Sequence, residues 1–275
     1  MTLVEGHQGS DTLTATAARR WRHELTWRLY AISYDRVLLE MPYYQEVLER
    51  HRAALVQPGI VDVLDVGAGT GNVTVPLVAA GKRVTAVDIS RAMLDRLRAK
   101  SVSDAGALTV IEGNAQALEL DDETFDGITA LLTFYDMDEP ARALEHAIRL
   151  LREGGTLVVT EPKRTFDLGV ILAEVDRVLK SKSLWCELQG DWRRVRDANL
   201  ELDPSPGRKA PRQGRLFIED IRERLLDRGF EAGAPRDSHL GHCATVVARK
   251  PIAGRGSMRE HARPCGEALR AGRLS

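Results

Sequence analysis

The chain has no uncharged apolar run near the roughly 18 residues that can span a bilayer, so no membrane-crossing helix is expected. Its opening stretch, MTLVEGHQGSDTLTATAARR, contains no continuous apolar segment and does not read as a secretory leader. Cysteine is scarce: Cys186, Cys243 and Cys265 show neither CxxC nor HxxxH spacing, which argues against a disulfide framework and against a zinc site. No metal is therefore expected. Aromatic residues make up only 5% of the chain, so their placement carries information. Together these absences lead to the expectation of a soluble, cytoplasmic protein of one or two domains within 275 residues.

Charge of one sign is also missing overall, but the balance is uneven. Residues 1–160 hold 16 Lys and Arg against 23 Asp and Glu, whereas residues 161–275 hold 23 against 17. The positive excess lies mostly in PSPGRKAPRQGR (204–215) and in the tail after Lys250. Both read as mobile segments rather than as a formed basic surface, which weighs against nucleic acid as a partner.

The periodicity divides the chain. Residues 1–16 and 251–275 read as disordered ends, and 17–57 as a helical cap segment. That segment is rich in aromatics, with Trp21, Trp27, Tyr30, Tyr34, Tyr43 and Tyr44. From residue 58 to 250, strands alternate with short helices. Strands are expected at 60–67, 83–89, 108–114, 125–133 and 156–162, and helices at 71–81, 90–100 and 139–155. Such alternation implies a parallel sheet covered on both faces. It stops at 163–215, where helical period and two further tryptophans, Trp185 and Trp192, suggest a lid insertion. A helix and two closing strands, near 230–237 and 242–249, complete the chain.

The stretch VLDVGAGTGNVTV (63–75) carries the chemistry. Glycines at 67, 69 and 71 follow a buried-type strand and precede a helix, where unpaired backbone N–H groups meet a positive dipole end. Asp88 ends the next strand, 21 residues after Gly67, close to the spacing of about 20 at which an acid accepts ribose hydroxyls. A pyrophosphate loop reads G-x-G-x-x-G; this one reads G-x-G-x-G with Asp65 two residues upstream. Asp65 would repel phosphate and suit an ammonium group. The ligand that combines adenosine with an amino acid is S-adenosylmethionine.

These residues closely resemble the cofactor motifs of the class I S-adenosylmethionine-dependent methyltransferases. The likeness continues through VIEGNAQALELDDETFDGITALL and EHAIRLLREGGTLVVTEPKR, over about residues 55–163. It implies a doubly wound, mostly parallel, seven-stranded Rossmann-like sheet with an antiparallel last strand and an α-helical cap. It also implies site residues. Asp65 and the Gly67, Ala68, Gly69 and Gly71 backbone would surround the methionine moiety. Asp88 would hold the ribose, Ile89 would pack on the adenine, and Asn114 with Ala115 would read the adenine edge. Thr133 and Phe134 would border the methyl, and Tyr34 would face the cofactor or acceptor. S-adenosylhomocysteine would be the product. Asn114 has a second, lesser reading as a plain turn residue.

Methyl transfer from a sulfonium depends chiefly on alignment and exclusion of water. An oxygen acceptor also needs a base, and the candidates are Tyr135, Asp136 and His242, with Glu161 at the fifth strand's end. Asp136 reads equally as a helix cap, and His242 as a packing histidine. No NPPY-type signature follows the fourth strand, which reads LTFYDMDE, so a small organic acceptor of apolar or aromatic character is expected. The aromatics of the cap and of the insertion would line a lid over it, or glue the helices to the core. Three alternatives stay open: an RNA or protein acceptor, a scaffold that binds the cofactor without turnover, and a homodimer.

Overall fold

The computed structural model describes residue 25 and residues 27–100, 107–202 and 215–253. Trp21, most of the basic 204–215 segment, and the ends read as disordered (apart from 251–253) lie outside the described residues. The elements are α1 (27–38), α2 (Pro42–Leu55), β1 (Asp62–Val66), α3 (Thr74–Ala79), β2 (Arg83–Asp88), α4 (Arg91–Lys100), β3 (Leu108–Glu112) and β4 (Phe125–Leu131). They continue with α5 (Pro140–Leu150), β5 (Leu151–Pro162), α6 (Leu168–Ser181), α7 (Trp185–Leu202), α8 (Ile218–Asp227), β6 (Glu231–Ala232), β7 (Arg236–Ser238) and β8 (Cys243–Arg249).

All the strands form one sheet in the order β3-β2-β1-β4-β5-β8-β6, with β7 also paired to β8. Strands β1 to β5 run parallel, and β8 runs antiparallel to β5, pairing Pro162 with Cys243 at one end and Thr156 with Arg249 at the other. The central strands are buried on both faces, as their β-branched sequences require: Val63, Leu64, Ile128, Leu157 and Val158 have no exposed surface. The order reverses at the β1–β4 boundary, so the carboxyl ends of these two strands flank the crevice where such sheets bind ligands.

Two sequence expectations are corrected at element boundaries. The helix expected over 139–155 stops at Leu150, because Glu123 and Thr124 donate their N–H groups to the carbonyls of Arg149 and Leu150. Leu151 then pairs directly with Phe125, so the glycine pair lies inside β5 and not at a helix end. The strand expected near 230–237 is split into β6 and β7, with Gly233 and Pro235 between them, where proline cannot donate to a ladder.

Helices α1, α2, α6 and α7 pack together over the sheet's carboxyl edge. Tyr30, Val37, Met41, Tyr44, Val175, Leu179, Trp192 and Val195 form an apolar cluster separate from the main core. Trp192 is only 3% exposed and donates its indole N–H to Asp176, so it holds the cap together and does not line an opening. Asp191, also buried, accepts from Ser33 at 2.7 Å and pairs with Arg36 and Arg194, tying α7 to α1.

A buried polar chain joins α2 to the sheet. His51 meets the Thr129 hydroxyl at 2.6 Å through Nδ1 and the Thr160 hydroxyl at 2.7 Å through Nε2. Thr160 in turn meets Thr245 at 2.7 Å. Burial holds the imidazole neutral, pushing its pKa down to about 3.

Candidate active site

The glycine loop crosses the end of β2. The N–H groups of Gly67 and Ala68 both donate to the Val87 carbonyl, at 2.8 and 3.0 Å. Gly67, Gly69 and Gly71 all have positive φ, but they answer different demands. A Cβ on Gly67 would lie 2.3 Å from Thr133 Cγ2, and one on Gly71 2.2 Å from Leu97 Cδ1. These two glycines admit protein neighbours. Gly69 has open space around it, and its N–H donates to Asp88 Oδ2 at 2.8 Å.

Asp88 also accepts from the Ser90 N–H at 2.8 Å, so one carboxylate clamps the loop and the start of α4. A carboxylate has about four lone-pair sites, so acceptor capacity remains for two hydroxyl groups. Beside it, Ile89 is 61% exposed, an apolar surface available for a flat ring. Asp65 is 2% exposed and accepts from the Thr74 hydroxyl at 2.6 Å. Burial first, and then Asp88, push its pKa up to about 7. A buried acid in this state is a favourable partner for a cation.

Asp65, Gly67, Ala68 and Gly69 line a small, partly open cleft together with Tyr34, Tyr44, Thr70, Asn72, Val73 and Leu131. Tyr34 thus comes to the cleft from the cap, its hydroxyl 2.9 Å from that of Tyr44. What the sequence reading missed is the device that brings it there. Asp35 accepts from Thr70 at 2.7 Å and Asn72 at 2.9 Å, and pairs with Lys100 at 2.6 Å. The "YD" pair at 34–35 and the "TGN" triplet at 70–72 held the signal, but nothing local says that they meet. Phe134 requires a correction: its side chain has no exposed surface and packs in the core among Ala143 and Leu144. It is not among the residues that line the cleft; its backbone forms the turn after β4.

That backbone is held by Glu161. The carboxyl accepts from the N–H groups of Thr133 and Phe134, both at 2.7 Å, and of Tyr135 at 3.2 Å. Glu161 is fully buried, and burial pushes its pKa up to about 8 despite these donors. It fixes the turn after β4 and is not free to act as a base. Burial also raises the Tyr135 phenol well above its usual value, with Asp136 adding to the effect. His242 accepts the Asp167 N–H at Nδ1 (3.0 Å), which pins the turn after β5, and it is not among the cleft's lining residues. Asn114 is exposed, and its amide oxygen accepts from the Gln116 N–H at 2.9 Å, making a turn; Ala115 beside it is buried. Among the described residues no group of three or more His, Cys, Asp or Glu could hold a metal ion.

The buried titratable groups give stability a defined pH profile. Asp65 and Glu161 have raised values, so the stability they carry is present below the ordinary carboxylate range and is lost as pH rises through 7 to 8. His51 and His239, lowered to about 3 and about 4, act oppositely and lose stability as pH falls below the usual histidine value. A plateau is expected between about pH 4.5 and 6.5. Above it, stability should fall by about 2 kcal/mol by pH 8.5. Thermal unfolding from pH 5 to 9 checks this, and Glu161→Gln should flatten the alkaline limb. A wild-type profile that rises from pH 6.5 to 8.5 would contradict it.

Comparison with known proteins agrees with this geometry. Residues 64–159, from β1 to β5, match the family described as a methyltransferase domain. An uncharacterised protein of Mycobacterium tuberculosis is 31% identical over 161 residues, 58% of this chain and 54% of the relative, so the chain spans about half that relative's length. Phosphatidylethanolamine N-methyltransferase of Cereibacter sphaeroides is 35% identical over 136 residues, 48% of this chain and 63% of that one. Among solved structures, magnesium protoporphyrin IX methyltransferase of Synechocystis with bound SAH has a TM-score of 0.52 and 20% identity, covering 76% of this chain and 84% of that chain. By its matched residues and its strand order, the chain carries a methyltransferase domain on a Rossmann-like fold.

Proposed function

We propose that this protein transfers a methyl group from S-adenosylmethionine to a small organic acceptor. The observation that carries the reading is the placement of Asp65 and the glycine loop in one cleft, with Asp88 bonded to the loop's Gly69 N–H. The donor set fits the cofactor: Asp65 offers a buried carboxyl for the ammonium, Asp88 has free lone pairs for the ribose, and Ile89 offers an apolar face for adenine. When bound, the cofactor supplies a methyl group already activated by the sulfonium. The chain's own residues align and enclose. Asp35 docks α1 on the loop, Tyr34 and Tyr44 close one side of the cleft, and Leu131 another. The cap excludes water, which strengthens each electrostatic contact inside.

Three of the four groups named from the sequence as bases are not free for that role. Glu161 is taken up by three N–H groups, His242 by Asp167, and Tyr135 has a raised pKa. This favours an acceptor that is nucleophilic without deprotonation in the site. The aromatic side chains of the cap favour an acceptor with an apolar body, and one relative is named for a small lipid acceptor, not a polymer. Isothermal calorimetry with S-adenosylhomocysteine tests the reading: one site of micromolar Kd is expected, and NAD should not compete. Binding of NAD in preference to S-adenosylhomocysteine would refute it.

A further inference from the structure

We infer that the Tyr43 hydroxyl is a binding point for the methyl acceptor, and that the acceptor presents an amine nitrogen to it. This rests on the methyl-transfer reading and specifies its substrate class. Tyr43 Oη is buried and has no hydrogen-bond partner among the described residues. A buried hydroxyl left unpaired is destabilising, and a bound ligand that pairs with it removes that cost. The neighbouring tyrosine hydroxyls are satisfied: Tyr30 accepts from Asn199 at 3.1 Å, and Tyr34 and Tyr44 bond to each other.

The position suits an acceptor. The Tyr43 ring lies 4.9 Å from the His239 ring, which also faces Tyr44 at 6.4 Å. Tyr44 lines the cofactor cleft, so one imidazole links the cleft wall to Tyr43. His239 sits in the turn just before β8, whose first residue pairs with the last residue of β5, beyond the carboxyl end of the sheet. Its backbone and that of Leu240 are both left-handed, at φ 46° and 58°. Consecutive non-glycine residues in that region are strained, and such strain collects where a site must be held in shape.

The surroundings select the headgroup. The ionisable neighbours acting on Tyr43 are Tyr30, Glu174 and Cys243, none of them cationic, although Glu174 itself pairs with Arg177. Those acting on Tyr135 are Asp136, Tyr30, Glu161 and Cys243. The cations that reach this region are already engaged, Arg50 beside His239 by Glu46 and the Arg236 and Asp237 carbonyls, and Lys163 beside Cys243 by Asp237, so a carboxylate or phosphate would find no free counter-charge among these neighbours. An amine can donate N–H to the phenol oxygen while aromatic faces accept its partial positive charge. In the transfer, the nitrogen lone pair forms the bond to the methyl carbon as the carbon–sulfur bond breaks and its electron pair returns to sulfur. The methylated ammonium then loses one proton to water, so no side-chain base is needed.

The test uses the full chain saturated with S-adenosylhomocysteine and titrated by calorimetry with 2-phenylethylamine, 2-phenylethanol and phenylacetate. These probes share one body and differ in headgroup. The amine should bind at least tenfold tighter than the other two. Tyr43→Phe should weaken amine binding at least fivefold, leave the S-adenosylhomocysteine Kd within twofold, and keep Tm equal to or above that of the parent. Equal or tighter binding of the alcohol or carboxylate, no binding of any probe, or unchanged amine affinity in Tyr43→Phe would overturn the inference. So would a fall in Tm, which would reveal a structural partner for the hydroxyl. Failure of the parent chain to bind S-adenosylhomocysteine would instead defeat the methyl-transfer reading itself.

Discussion

Asp88→Ala should weaken S-adenosylhomocysteine binding by about 100-fold or more, since two hydrogen bonds to a charged group contribute about 1.5–3 kcal/mol each. The loss has two sources that can be separated. The carboxylate would no longer accept from the ribose, and the N–H groups of Gly69 and Ser90 would lose their shared acceptor. Asp88→Asn retains the size but offers one oxygen, so it can hold only one of those N–H groups and should lose less, about tenfold. Calorimetry gives both constants. Unfolding should shift by no more than about 1–2 kcal/mol in the alanine variant, because the loop is also tied by Gly67 and Ala68 to Val87. Binding within threefold of the parent in Asp88→Ala would show that the cleft is not the cofactor site.

His51→Ala should produce the largest loss of stability, about 3–5 kcal/mol in denaturant unfolding, without touching any cleft residue. The imidazole has no exposed surface, and its removal leaves a cavity and takes a partner from both Thr129 and Thr160. The polar chain is a unit, so partial removal should cost more than complete removal. A triple variant, His51→Leu with Thr129→Val and Thr160→Val, exchanges the chain for apolar groups. It should recover at least half of the loss, because unpaired buried groups cost more than absent ones. Thr245 would then be the remaining hydroxyl without its neighbour. If the triple variant is less stable than His51→Ala, the chain's value lies in packing shape and not in polar satisfaction.

His51 also shows where a sequence stops being readable. It sits in a helix whose period is plain, yet its two threonine contacts come from β4 and β5, and Thr160 continues the chain to Thr245 on β8. Nothing local announces a partner 78 or 109 residues away. Asp35 is the same case at the site: its neighbours Thr70, Asn72 and Lys100 are scattered over two later units. Phe134 and Tyr135 mark the limit in the other direction. Being next to a strand end suggested that Phe134 borders the methyl and that Tyr135 could act as a base, but only the packed structure shows which way a turn side chain points.

The order of strands, the glycine loop with Asp65 and Asp88, and hence the cofactor class were already determined by the amino-acid sequence. Each of those features is local: a β-branched run, a turn that needs positive φ, an acid at a strand end. The acceptor side was decided only by tertiary structure. It is assembled from α1, α2, α6, the turn after β4 and the turn before β8, which are far apart in the chain. The properties that carry the proposed acceptor site are the Tyr43 hydroxyl without a partner among the described residues, the engagement of Glu161 and His242, and the engagement of the nearby cations Arg50 and Lys163 by other groups. Such properties belong to neighbours brought together by packing, and no residue carries them alone.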